Sequence, residues 1–172
     1  MRADSCRFFC CVQQIGMPLR TIQFTQEQVR DIAQISPGDV RQWRKAVPYL
    51  AAKPGKAARF AFSDLVGLAL TRELTGTLGA RISEIGTGVD ALFRALAEAR
   101  PAHLEGLVAL VERAAARLIP ASDLAARQIS GPLFLAPCDP ILAEIGARMM
   151  PIARGSSQVA LPFPPQAVRS GA

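Results

Sequence analysis

The stretch Thr25–Val47, TQEQVRDIAQISPGDVRQWRKAV, carries two helix starts so close together that only a pair of short, abutting helices fits it. Thr25 stands at an N-cap position with Gln28 three residues on, the pattern in which hydroxyl and amide each satisfy an orphan backbone N–H. Val29, Ile32 and Ala33 then recur at helical spacing. Ser36 caps again. Pro37 takes the first helical position, where a missing N–H costs nothing, and Asp39 puts a carboxylate near the positive end of the helix dipole. The pattern predicts two helices meeting across Gln34–Ser36, a helix-turn-helix unit.

The second helix is the informative one. It holds Trp43, the only Trp of the chain, among Arg41, Gln42, Arg44 and Lys45. At helical spacing Val40, Trp43 and Val47 form one stripe. Trp43 and Val40 therefore anchor the helix, and Arg41, Gln42, Arg44 and Lys45 project elsewhere. Guanidinium forks and an amide match base edges in a major groove wide enough to admit a helix, and Arg or Lys also engages phosphate.

Downstream, PYLAAKPGKAARFAF has a Pro54-Gly55 turn between short apolar flanks, which predicts a two-stranded hairpin, or wing, carrying Lys53, Lys56 and Arg59. Ser63 is expected to cap a third helix that turns Leu65, Val66, Leu68, Ala69, Leu70 and Leu74 inward and ends at Gly76 and Gly79. A fourth helix follows, with Gly86 and Gly88 as expected breaks. Leu104, Val108, Val111, Ala115 and Leu118 alternate at spacings of four and three, a short heptad seam between Pro101 and Pro120. Strands are expected around Leu133–Leu135 and Val159–Leu161, with one helix between them.

Charge follows the same division. Residues 17–72 hold nine cations against four acids, whereas residues 73–172 are balanced, so most of the excess of +6 lies in the first part. A basic module joined to a neutral one points to a polyanion. Half of the residues are hydrophobic but only 6% are aromatic, which favours an aliphatic, helix-rich core. Cys6, Cys10, Cys11 and Cys138 have neither zinc spacing nor the look of a disulfide framework. No apolar run reaches the roughly 18 residues of a membrane span. Residues 1–16 read as a disordered or mis-assigned leader, with Met17 as the start.

Catalytic constellations are thin. His103 is the sole His, and neither a P-loop nor a G-x-G-x-x-G pattern occurs. GTGVDALFRAL has glycines before a helix but no preceding strand, which argues against phosphate binding there. The chain is not expected to be an enzyme or to carry a metal or cofactor.

Helix, turn, basic helix, basic hairpin and helix is the winged helix-turn-helix order. From about Phe24 to Ile85 the chain resembles the MerR family of bacterial transcription regulators. The matching pieces are FTQEQVRDIAQIS, VRQWRK, GKAARFAFSDL and LGARISEI. Arg59, Phe60, Ser63, Asp64 and Leu65 fit the family pattern that closes the wing. Gly79, Glu84 and Ile85 fit the start of its fourth helix, although Arg81 replaces a small polar residue. Gln42 stands where the family usually has Tyr, and Arg44 where it has an acid.

The resemblance implies a mainly α protein: a leader (1–19), a winged helix-turn-helix DNA-binding domain (20–85), a helical dimerisation region (86–120) with Ala102–Ile119 as the dimer helix, and a small C-terminal region (121–172). It implies a cytoplasmic, nucleoid-associated homodimer that binds double-stranded DNA. Arg41, Gln42, Arg44 and Lys45 would lie in the major groove, and Lys53, Lys56 and Arg59 on phosphates. The apolar tail forms either a pocket for a small-molecule effector or a cap on the core. A winged-helix adaptor of the phage packaging or excision type, with a protein partner, is the alternative.

Overall fold

The computed structural model describes residues 22–53, 55, 57–126 and 131–150. The leader, the expected strand at Val159–Leu161 and Lys56 lie outside the described residues.

The chain is mainly helical, with two small antiparallel sheets. Helix α1 (Gln26–Ala33) starts at the Thr25 cap: the Gln28 N–H donates to Thr25 Oγ1 (3.2 Å), and the Thr25 N–H donates to Gln28 Oε1 (2.9 Å). It ends at Gln34, which adopts the left-handed conformation (φ 54°). That conformation is costly for a residue with a Cβ. It lets the Ile35 N–H reach back to Arg30 O (2.9 Å), closing the last turn. Helix α2 (Pro37–Ala46) starts at Ser36, with Asp39 completing the reciprocal cap. It stops because Pro48 disfavours a helical conformation at Val47, which is extended.

Pro48 then opens a one-turn helix, α3 (Pro48–Ala51), that buries Leu50. The local hairpin expected around Pro54-Gly55 therefore does not form. Its upstream flank is helical. Its downstream flank, β2 (Arg59–Phe60), pairs instead with β1 (Phe24–Thr25), Phe24 opposite Phe60 and Thr25 opposite Arg59. Both Phe rings are buried in this pairing.

Helix α4 (Phe62–Arg72) is the centre of the molecule: every residue from Asp64 to Thr71 is buried. A helix apolar on all sides belongs inside. Ser63 does not cap it. The helix begins after Ala61, whose N–H donates to Asp64 Oδ2 (2.7 Å), and a carboxylate reaching back from the third position serves that donor better than a hydroxyl. A π-type turn, Glu73–Thr77, extends α4 towards Gly79.

Helix α5 (Ile82–Glu98) runs unbroken through both glycines. They serve close approach, not interruption. A Cβ at Gly86 would stand 2.6 Å from the Ala46 carbonyl oxygen of α2. A Cβ at Gly88 would collide with the Glu112 carbonyl, and the Gly88 N–H donates to Arg113 O (3.1 Å).

The dimerisation helix expected over Ala102–Ile119 is instead a β-hairpin. Strands β3 (Leu107–Val111) and β4 (Ala116–Pro120) pair with Val108 opposite Ile119 and Leu110 opposite Arg117. Strand β5 (Phe134–Pro137) adds to the other edge of β3. Short apolar runs fit either period. Here Gly106, at φ 72°, precedes the run, and Leu107–Val111 is covered on both faces. Ala109 and Val111 join the main core, while Val108, Leu110 and Ile119 pack with Leu124 and Leu133 on the far side. Central strands of this kind lose their alternation.

Helix α6 (Cys138–Met149) returns onto α4 and α1. One core then runs continuously from Phe24 to Ile145. The division drawn at residues 85 and 86 falls inside α5, and the described residues after 121 join the same core through Ala136, Ile141 and Ile145. No helix among the described residues is long and apolar enough to cross a membrane.

Candidate nucleic-acid interface

Helix α2 divides as its spacing predicts. Val40, Trp43 and Val47 are buried, with Trp43 only 3% exposed. Arg41, Gln42 and Lys45 are exposed. Arg41 and Lys45 are one turn apart and share the face opposite Trp43, with Gln42 on one flank. Arg41 Nε donates back to Pro37 O (3.3 Å), which lays its stem along the helix.

Arg44 takes the other flank, closer to the apolar stripe, and is half-buried. Its guanidinium donates to Gln26 Oε1 (3.2 Å) at the first turn of α1. Arg59, exposed on β2, is paired in register with Thr25, the residue just before Gln26. Arg44 and Arg59 therefore converge on the start of α1. Arg41, Gln42 and Lys45 thus share the exposed side of α2, and Arg44 and Arg59 both neighbour the start of α1.

Lys53 is not part of that set. Its Nζ lies 2.8 Å from Asp64 Oδ2, over the rings of Tyr49 (5.1 Å) and Phe60 (5.5 Å). Asp64 is 1% exposed and also accepts from Tyr49 Oη at Oδ1 (2.9 Å). The Tyr49 N–H donates to Asp90 Oδ1 (2.6 Å), and the Tyr49 ring stacks on Phe93 at 5.2 Å. Burial first, and then the hydrogen bond to Asp64, pushes the Tyr49 phenol up to about 12.

Sequence reasoning misses Gln26 and Tyr49 as organisers. Gln26 meets Arg44 only through the packing of α1 against α2, and no local pattern marks it. Tyr49 had a weak signal, as the one Tyr of the chain beside the basic helix. Asp64 was visible as a motif position, but not as the acceptor for three donors.

Elsewhere the chemistry is quiet. Cys138 is buried, and desolvation raises its thiol to about 11, so little thiolate forms at neutral pH. His103 lies exposed in a single turn after α5. Among the described residues no cluster of three His, Cys, Asp or Glu could hold a metal ion. A shallow groove of about 500 Å³ runs between α2 and the start of α5, past Gln42, Arg81 and Ser83.

No protein-family model, curated protein sequence or solved structure matches this chain.

Proposed function

We propose that this chain is a double-stranded DNA-binding protein of the MerR-like helix-turn-helix type, a transcription regulator acting as a homodimer on an inverted-repeat site. One observation carries the reading. Within a single short helix, α2, the apolar stripe Val40–Trp43–Val47 is spent on the core, while Arg41, Gln42 and Lys45 stay exposed on the opposite side. A helix held from behind by a buried Trp, with cations and an amide in front, suits insertion into a major groove. The resemblance of residues 24–85 to the MerR family supports it, as does the basic excess of residues 17–72. In this reading Arg41, Gln42 and Lys45 read or flank bases, and Arg44 and Arg59 contact phosphate. The chain needs no catalytic residue and acts by binding alone.

The test is a salt titration of binding to mixed-sequence duplex DNA, beginning at low ionic strength. Log affinity should fall linearly with log salt, by about 0.9 per phosphate neutralised. A flat line for the wild type would remove the proposal. Selection of bound sites from random duplex would then give an inverted repeat if the protein binds as a two-fold dimer.

The hairpin at Leu107–Pro120 lends some weight to the second reading, an adaptor with a protein partner. It stands where the antiparallel dimer helix was expected. A non-palindromic selected site, with a monomeric mass in sedimentation, would favour that alternative.

A further inference from the structure

Within the DNA-binding reading, on which this rests, we infer that Lys53 is a positioning residue and not a phosphate ligand: it tethers the turn after α3 to the buried carboxylate of Asp64, and so holds β2 and Arg59 in place against β1 and the start of α1. The geometry is specific. Asp64 receives three donors: Tyr49 Oη on Oδ1, and Lys53 Nζ and the Ala61 N–H on Oδ2, at 2.9, 2.8 and 2.7 Å. The Asp64 side chain is 2% exposed, that of Lys53 21%. To reach a phosphate, Nζ would have to leave two aromatic faces and strip a buried carboxylate of the one cation paired with it among the described residues. An uncompensated buried charge is among the costlier states a fold can adopt. A DNA phosphate, in high dielectric, offers too little in exchange.

The tether joins three elements. Lys53 follows α3, Asp64 opens α4, and the Ala61 N–H ties the end of β2 to the same oxygen. Arg59 sits two residues before Ala61, so its direction depends on this hub. Tyr49 links the hub to α5 through Asp90, which in turn accepts from Arg94 (2.8 Å).

Two measurements on the full chain separate a tether from a phosphate contact. The first compares salt slopes on duplex DNA for the wild type, Lys53→Met, Arg59→Ala and the double variant. Met keeps the apolar stem over Phe60 and Tyr49 but drops the charge. Arg59→Ala should reduce the slope by about 0.9. The double variant Lys53→Met/Arg59→Ala should lose no more slope than Arg59→Ala alone, since Lys53 acts through the direction of Arg59, and Lys53→Arg should restore the affinity that Lys53→Met loses. A double variant whose slope falls by about a further 0.9 would overturn the inference. The second measurement needs no variant, and it decides the matter if Lys53→Met fails to fold. Amine-reactive labelling of the wild type, read by mass spectrometry, should modify Lys45 quickly and Lys53 slowly. Added duplex should protect Lys45 and leave the rate at Lys53 unchanged. Protection of Lys53 by duplex would overturn the inference while leaving the DNA-binding reading intact. Absence of any salt-dependent binding by the wild type would overturn both.

Discussion

Arg72 grips Glu144 with both terminal guanidinium nitrogens, at 3.0 and 2.7 Å, and so joins the central helix α4 to the last described helix, α6. The same guanidinium donates to Ala33 O (3.1 Å). Arg148, itself 2.8 Å from Glu144, donates to Ile32 O (3.0 Å). The carbonyl end of α1, just before the turn into α2, is thus held by two arginines that share one carboxylate. Cations near a helix C-terminus are favourable on dipole grounds as well.

That arrangement predicts an acid-sensitive contribution to stability. The hydrogen bond from Arg72 holds the Glu144 carboxyl below its ordinary range, against a smaller opposing effect of burial. A carboxylate with a lowered folded pKa stabilises above its unfolded value, about 4.3, and the benefit goes as pH falls through the folded value. Glu144→Gln should cost about 1 kcal/mol at pH 7, at the upper end for a part-exposed pair. Urea denaturation of both proteins across pH should show the gap closing below about pH 4. A gap unchanged down to pH 3 would count against it.

Tyr49 predicts the opposite behaviour at high pH. Its phenol is raised to about 12 by burial and by Asp64. An acid with a raised folded pKa stabilises below its unfolded value, near 10, and that stability is lost as pH climbs through the folded value. As the sole Tyr, it can be followed by phenolate absorbance without interference. Asp64→Asn should bring the transition down towards 10. A native transition already near 10 would mean that the ring is not held as described.

Trp43 should report and determine folding at once. At 3% exposure its emission should be blue-shifted in the native protein and move red on unfolding. Trp43→Ala should cost about 3–5 kcal/mol, the range for removing a large buried aromatic. Arg41→Ala, on the opposite face, should change stability by less than about 0.5 kcal/mol. If the α2 proposal holds, Arg41→Ala should also relax base preference in site selection, whereas Arg59→Ala should weaken all duplexes alike. The reverse pattern would exchange the roles of α2 and β2.

Two glycines make a paired test. Gly88→Ala must displace the Glu112–Ala115 turn, because the new methyl meets the Glu112 carbonyl, so it should destabilise clearly. Gly146, inside α6, has no atom of the described residues within 4 Å of a built Cβ. Gly146→Ala should stabilise by about 0.5–1 kcal/mol. Thermal unfolding of the two variants should move in opposite directions.

What the chain determined by itself is the part ruled by local physics. Thr25 with Gln28 and Ser36 with Asp39 satisfy orphan amides within four residues, so the starts of α1 and α2 are legible without a fold. The stripe of Val40, Trp43 and Val47 follows from helical period alone, and with it the exposed set on α2. Tertiary structure decided whatever depended on a distant partner. Leu107–Val111 fits a heptad seam as well as a strand, and it became a strand because β4 and β5 complete its hydrogen bonds while apolar side chains cover both faces. Phe60 pairs with Phe24, far back in the chain, and not with its neighbours, and both rings are buried in that pairing. Lys53 counts as a cation in any sequence tally, yet the fold has engaged its charge against Asp64. Capping and periodicity act over one or two turns, and strand pairing and charge burial depend on what the rest of the chain brings alongside.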